Sequence, residues 1–250
     1  MTATKDWLKA SWDAGIDLLR PVGGRVTGDA PLQVQAQVPT KSPVVVPIRS
    51  LGASYRERIT EHLLALDDSD RYLRFGYSAN EAQIRRYTEL LDFDRDEIFG
   101  IYNRRLELIA VAHLAFSEHP DHKHCAEFGV SVLGSARGRG FGSRLFERAV
   151  MHARNEGVSM VFIHALSQNT AMLKIARNAG AVVHRDGSES EAFLELPAAS
   201  LDSRMAELVG HQFAEVDYRI KKQAKQFWDF LETVQEVRAG VRSGRHQSAE

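Results

Sequence analysis

Cysteine is nearly absent: Cys125 is the only one in 250 residues. No internal disulfide can staple the chain, so stability must come from a packed core, and a reducing compartment, the cytoplasm, is the expected location. Long hydrophobic runs are missing too. The longest, VVVPI and MVFIHAL, fall far short of the ~20 residues a membrane-spanning helix needs. The opening MTATKDWLKASWDAG has no basic segment leading into an apolar one. Neither a signal peptide nor a membrane partner is therefore expected. Charge of one sign is also lacking, with 32 Lys and Arg against 33 Asp and Glu. That excludes the broad basic footprint of a nucleic-acid binder, so any partner must be recognised locally. No internal repeat or low-complexity tract is present.

What the chain does have is a core: 44% of its residues are hydrophobic, ample for one generous domain with helical additions. Residues 4–20 place Trp7, Leu8, Trp12, Ile16 and Leu19 on one face of an amphipathic helix. The Gly- and Pro-scattered stretch after it reads as a linker, giving an N-terminal segment over 1–43. From Val44 the spacing predicts strand VVVPIRS, helices through YRERITEHLLAL and NEAQIRRYTELLD, and strands EIFGIYN, LELIAVAHLAF and CAEFGVSVL. Helix GSRLFERAVMHARNEG, closed by Gly157, strand MVFIHAL, helix NTAMLKIARNAG, stopped by Gly180, and strands AVVHRD and AFLELP follow. Three successive strands and then alternation predict an α/β (α+β) domain over 44–198, a mixed central sheet with helices on both faces. Residues 199–250 form a C-terminal extension. There Val209, Phe213, Val216, Ile220, Ala224, Phe227, Leu231 and Val234 draw an apolar stripe along a helix that neither Pro nor Gly interrupts from Gln212 to Ala239. Such a stripe needs a cover, supplied by the Trp7/Trp12 helix or by a second subunit, so a homo-oligomer through this helix is one expectation.

Glycine concentrates in VLGSARGRGFGSRLFERA, where Gly138, Gly140 and Gly142 stand at every second position. A dinucleotide fingerprint from Gly138 needs a third glycine where Ser143 stands, and a P-loop needs a lysine that the loop lacks. An Arg-Gly RNA-binding tract would be repeated and disordered, whereas this single copy lies between a strand and a helix. The remaining pattern, Arg137-Gly-Arg-Gly140-Phe-Gly142 opening a helix, aims bare backbone amides along a helix N-terminus, an anion site suited to a pyrophosphate. Phe141, Leu145, Ala149 and Ala153 would be that helix's buried face.

This ordered set of strand, loop, helix, strand and Asn-opened helix resembles the GNAT superfamily of N-acetyltransferases. LLALDDSDRYLRFG, AEFGVSV and NTAMLKIARNAG are further similar to bacterial Pat-type protein lysine acetyltransferase domains. The resemblance implies a GNAT fold, acetyl-CoA as co-substrate, no metal, and an amine acceptor, either a small molecule or a protein lysine. It implies coenzyme contacts from Arg137, Gly138, Arg139, Gly140, Phe141, Gly142 and Ser143 of the loop, from Asn169, and from Val130, Ser131 and Val132, whose strand amides would hold the acyl oxygen. Glu127 matches the catalytic carboxylate. Many relatives carry a tyrosine acid where this chain has Ala176, so a proton for the leaving thiolate is left to water. Asn169 would in any case cap its helix. In SDRYLRFG the bland reading packs Tyr72, Leu73 and Phe75 and pairs Arg71 and Arg74 with acids; the resemblance places it near the acceptor groove. HPDHKHC, between two predicted strands, lacks the paired spacing of a zinc site and reads as a hairpin loop. The alternative from another class is a non-catalytic acyl-CoA sensor; a missing base would favour it, and Glu127 is present.

Overall fold

The structure, a computed structural model, describes residues 46–118, 122, 124–200, 202–222 and 225. The expected helix over 4–20, the linker after it, Val44, His119 and residues 223, 224 and 226–239 of the expected C-terminal helix lie outside the described residues.

The chain builds β1 (Arg49–Ser50), α1 (Arg56–Leu64), α2 (Asp68–Phe75), α3 (Glu81–Glu89), β2 (Glu97–Tyr102), β3 (Leu108–Phe116) and β4 (Cys125–Val132). After these come α4 (Phe141–Asn155), β5 (Met160–Leu166), α5 (Thr170–Asn178), β6 (Val182–Asp186) and β7 (Glu189–Glu195). Among the described residues, seven strands form one sheet in the order β1-β2-β3-β4-β5-β7-β6. Every pairing is antiparallel except β4 with β5, which α4 connects. A crossover helix is what parallel neighbours require, so the periodicity of SRLFERAVMHA dictates that one parallel pair.

Both faces of the sheet are covered. On one, Phe99, Ala112, Leu114 and Phe128 pack under Leu145, Phe146 and Ala149 of α4 and Leu173 and Ala176 of α5. Phe128 and Phe146 meet edge to face at 4.9 Å. On the other, Ile98 and Val111 pack under Ile59 and Leu63 of α1, Phe75 of α2 and Ile84 of α3. Alternation along β2 sends Ile98 and Phe99 into opposite cores, which is why EIFGIY reads as a continuous apolar run. Local caps match their sequence signals. Asp67 accepts from the Asp70 amide at 2.7 Å to start α2, and Asn80 with Gln83 forms a capping box at α3.

Three expectations change. Of the strand expected over 44–50, residues 46–50 are described and only Arg49–Ser50 is strand, since Pro47 has no amide to donate to a ladder. SDRYLRFG is helical over Asp68–Phe75, but only Phe75 is buried and Tyr72 is exposed. Arg71 donates to the carbonyls of Leu66 and Leu64 instead of pairing with acids.

The third change concerns the C-terminal helix, which spans 202–222 among the described residues. Its polar face docks on the domain. Glu207 accepts from His152 at 2.7 Å and lies beside Asn155 and Arg148. Glu215 accepts from Arg49 at 2.7 Å, and the Tyr218 ring lies 3.9 Å from the Arg49 guanidinium. Lys221 donates to the Tyr102 carbonyl. The apolar stripe faces the other way: Val209 is 64% exposed, Phe213 44%, Val216 54% and Ile220 61%. No helix among the described residues is long and apolar enough to cross a membrane.

Candidate active site

The β3–β4 ladder is continuous from Ala110↔Val132 to Phe116↔Ala126. The β4–β5 ladder has only three pairs, Cys125↔Met160, Ala126↔Val161 and Glu127↔Phe162. Beyond Phe162, β5 stays with β7 as far as Leu166↔Glu189, so the two parallel strands part after Glu127. The Leu133 amide donates to the Ile109 carbonyl at 3.0 Å. Two-residue alternation then directs the amides of Ser131 and Gly129 to β3, and those of Val130 and Val132 to the side from which β5 has diverged. The opening between β4 and β5 is thus edged by backbone donors without a ladder partner.

At the far end of that edge stands the glycine loop. Gly138 and Gly140 both have φ +75°, and a side-chain carbon at either would meet nothing within 4 Å. What demands glycine there is the left-handed backbone. Gly140 is the N-cap of α4 and offers no side chain to its first turn. The first intrahelical bond is Arg144 N to Gly140 O at 3.1 Å, which leaves the amides of Phe141, Gly142 and Ser143 free for an anion. Gly142 serves a different end: a Cβ there would lie 3.1 Å from Ile175 Cδ1, so its bareness lets α4 close on α5. Of the three glycines, Gly138 and Gly140 are required by backbone conformation and Gly142 by helix packing. Arg137 is tied to Asp70 of α2 by an ion pair, and Arg139 is exposed. Open donors along a strand edge, leading to an uncapped helix N-terminus, fit an extended acyl carrier with a pyrophosphate.

Glu127 stands where the strands part, half-buried, on the face covered by α1–α3. Burial pushes its carboxyl above the ordinary carboxylate range, against the opposing charges of Arg74, His164 and His113. Its carboxylate makes no hydrogen bond among the described residues, which leaves it available to a substrate proton. Ser131 faces away from the opening between β4 and β5. Its amide points to β3, and its hydroxyl lies 2.8 Å from His62 Nε2. His62 Nδ1 is 2.8 Å from the Leu108 carbonyl, which can only accept, so Nδ1 carries the proton and Nε2 accepts from Ser131. Burial lowers the His62 pKa to about 4, keeping this pair neutral and structural. Asn169 caps α5, accepting from the Met172 amide at 3.1 Å, and its Nδ2 donates to the Leu73 carbonyl at 3.4 Å. Ala176 is fully buried in the α5 core contact, so this position offers no route to the cleft for a larger acid. Cys125 is half-buried, and burial pushes its thiol up, away from nucleophilic thiolate character.

Sequence reasoning missed a polar chain beside Glu127. The Arg74 guanidinium lies across Gly129: a Cβ there would be 2.7 Å from Arg74 Nη2. Arg74 donates to Tyr87 Oη at 2.9 Å, Tyr87 Oη lies 2.8 Å from His113 Nδ1, and His113 Nε2 lies 3.0 Å from Asp96. Burial would raise the Asp96 carboxyl, but hydrogen bonds from Arg95 and His113 hold it below its ordinary value. Gly129, a glycine inside a strand, was the one local signal of a close approach. His164 on β5 completes the surroundings, with Glu189 and Glu191 of β7 at 3.7 and 3.9 Å.

Residues 62–181 match the sequence model of the Acetyltransferase (GNAT) family. No curated protein matches the chain significantly. Among solved structures, the GNAT domain of S. lividans PAT is 22% identical, with 61% of this chain and 95% of that one covered and a TM-score of 0.52. A putative acetyltransferase from Acinetobacter baylyi is 16% identical over 61% of this chain and 94% of its own, with a TM-score of 0.51. These two likenesses are of fold. The chain has the GNAT fold, and residues 62–181 are similar to the GNAT acetyltransferase family. Acetyltransferases of that family use acetyl-CoA as co-substrate.

Proposed function

We propose that the chain transfers the acetyl group of acetyl-CoA directly to a primary amine of a protein lysine, with Glu127 as the general base. The observation that carries this reading is the parting of β4 and β5 at Glu127, which sets a desolvated carboxylate beside the unladdered amides of Val130 and Val132. Support for a protein lysine over a small amine comes from the Pat-type likeness of LDDSDRYLRFG and AEFGVSV.

Acetyl-CoA supplies an acetyl group activated as a thioester. The chain's part is to place it and move protons. Free amides of Phe141, Gly142 and Ser143 at the α4 N-terminus hold the phosphates, with Arg139 adding charge. The amides of Val130 and Val132 donate to the acyl oxygen and stabilise negative charge as it develops there. A lysine amine is protonated below ~10.4 in water, so it must lose a proton before it attacks. Glu127 accepts that proton; its raised pKa makes it a better acceptor than a solvated glutamate. Water protonates the departing thiolate, since Ala176 supplies no acid. Loop, Asn169 and strand edge constitute the coenzyme side, and α2 with α3 the acceptor side.

The test is thiol release by the purified full chain from acetyl-CoA in the presence of lysine peptides or polyamines. Release with lysine peptides, lost in Glu127→Gln while calorimetric acetyl-CoA affinity is kept, supports the reading. Binding of acetyl-CoA without release to any amine would instead make the domain a coenzyme sensor.

A further inference from the structure

α2 has little apolar anchorage. Of its eight residues only Phe75 is buried, so hydrophobic packing alone does not fix where the helix lies. Polar contacts do, and they come from both sides of the opening between β4 and β5. Asp70 is paired with Arg137, in the loop that follows β4. The Leu73 carbonyl accepts from Asn169, in the turn that follows β5, at 3.4 Å. Between these two anchors Arg74 lies across Gly129 of β4. Asp70 and Arg74 stand four residues apart and so share one face of the helix, which their contacts put over β4 and the loop after it. α2 is thus strapped over the place where the strands part, and both of its anchors are residues of the coenzyme side.

We propose that Asp70 and Arg137 are a positioning pair that couples the two substrate sites: seating of the coenzyme on the glycine loop fixes α2, and α2 in turn fixes Arg74 and the acceptor side beside Glu127. The inference rests on the acetyl-transfer reading of the loop and the cleft.

Arg137 immediately precedes Gly138, whose φ is +75°, and stands three residues before Gly140, the N-cap of α4. The backbone that closes on a phosphate therefore also sets where this guanidinium points. Asp70 is the more deeply placed partner, its side chain 13% exposed against 49% for Arg137. A carboxylate taken that far from water needs its cation, so α2 cannot shift away from the loop without leaving Asp70 unpaired. The guanidinium spent on Asp70 has its charge compensated, which leaves the phosphates to the amides of the loop. Because the pair joins the coenzyme loop to a helix of the acceptor side, order gained by the loop is passed to α2, and the coupling is reciprocal.

Hydrogen exchange of the full chain, followed by mass spectrometry with and without acetyl-CoA, reads α2 without turnover. Peptides covering 68–75 are expected to exchange on the order of tenfold more slowly once acetyl-CoA is bound. Asp70→Ala and Arg137→Gln are each expected to abolish that gain, with calorimetric acetyl-CoA affinity held within about threefold of wild type. Arg137→Lys keeps the cation and is expected to restore most of the gain. With a lysine peptide as acceptor, the two pair-breaking variants should raise its KM by ~10-fold and change kcat far less. Should Asp70→Ala fail to fold, Arg137→Gln carries the test alone, since it leaves the helix itself untouched. A wild type that binds no acetyl-CoA overturns the coenzyme reading of the loop and this proposal with it. Binding to which α2 does not respond, or a response that survives in folded Arg137→Gln, overturns this proposal alone. So does a roughly tenfold loss of acetyl-CoA affinity in Arg137→Gln with the α2 response intact, which would make Arg137 a phosphate ligand.

Discussion

Along β4, the edge facing β3 is paired without a break from Ala126 to Val132, whereas the edge facing β5 is paired only from Cys125 to Glu127. The two edges have the same backbone chemistry. On the β3 side every donor is spent on the ladder, and the strand is rigid. On the β5 side the donors of Val130 and Val132 remain, and a rigid strand presents them in fixed positions. Preorganised donors cost no rearrangement when charge develops in front of them, so a site of this kind belongs where pairing stops on one edge and continues on the other.

The sharpest way to break that comparison is to remove the group at the point of parting. Glu127→Gln is expected to lower kcat by ~10²-fold or more with acetyl-CoA affinity unchanged, since it keeps shape but cannot take a proton. The deficit should shrink as pH approaches the amine's own pKa, which steady-state rates across pH would show.

Next come the glycines at the end of the open edge, which differ in what they tolerate. Gly140→Val places a branched residue at φ +75°, which costs about 1–2 kcal/mol of backbone strain and should weaken acetyl-CoA binding on the order of tenfold. Gly142→Val pushes against Ile175 and should instead destabilise the fold by about 1–3 kcal/mol of overpacking, read as a lower melting temperature. Restored melting in the double variant Gly142→Val with Ile175→Val would assign Gly142 to helix packing. Calorimetry and thermal melting separate the two effects.

A smaller effect sharpens the role of the missed polar chain. Tyr87 holds Arg74 across Gly129, and Arg74 is the foremost charge opposing the raised Glu127 pKa. Tyr87→Phe releases Arg74, so the Glu127 carboxyl should rise further. Its basic form is the active one, so the acidic limb of kcat/KM should move to higher pH. An unmoved limb would make the chain purely structural.

The smallest effect lies at the C-terminal helix. Burial works against the charge of both Glu207 and His152, but their mutual hydrogen bond outweighs it, lowering Glu207 to about 2 and raising His152. The Glu207 contribution is present above the ordinary glutamate range and is lost as pH falls towards about 2. The His152 contribution is complete below the ordinary histidine value and is lost as pH rises through the raised one. Glu207→Gln should therefore cost most stability between pH 5 and about 6.5, about 1–2 kcal/mol or a few degrees of melting temperature. The difference from wild type should narrow towards strong acid and above the raised His152 value.

Much of the sheet-and-helix domain was legible because its signals are local. Gly157 and Gly180 sit just past the ends of α4 and α5 with positive φ, where periodicity and glycine placed them, and Asn169 caps α5 as its sequence context required. The strands from EIFGIY to CAEFGVSV appeared within a few residues of their expected bounds. What misled was any inference about direction. Ser131 shares an apolar strand with Val130 and Val132, but two-residue alternation turns it to His62 and β3. Arg71 and Arg74 lie among acidic neighbours in sequence, yet their partners are carbonyls and a tyrosine.

By itself the sequence determined the elements, their order and the glycine-loop helix start, because helix period, caps and backbone freedom depend on residues within a turn or two of one another. Only the tertiary structure decided where β5 leaves β4, how Arg74 of α2, Tyr87 of α3, His113 of β3 and Asp96 before β2 align, and that the C-terminal helix docks by its polar face. Each of these is a competition among surfaces far apart in the chain. The helix face with the most hydrogen-bond and charge partners on the domain won the dock, leaving the apolar stripe, whose period alone could not say which neighbour it would meet.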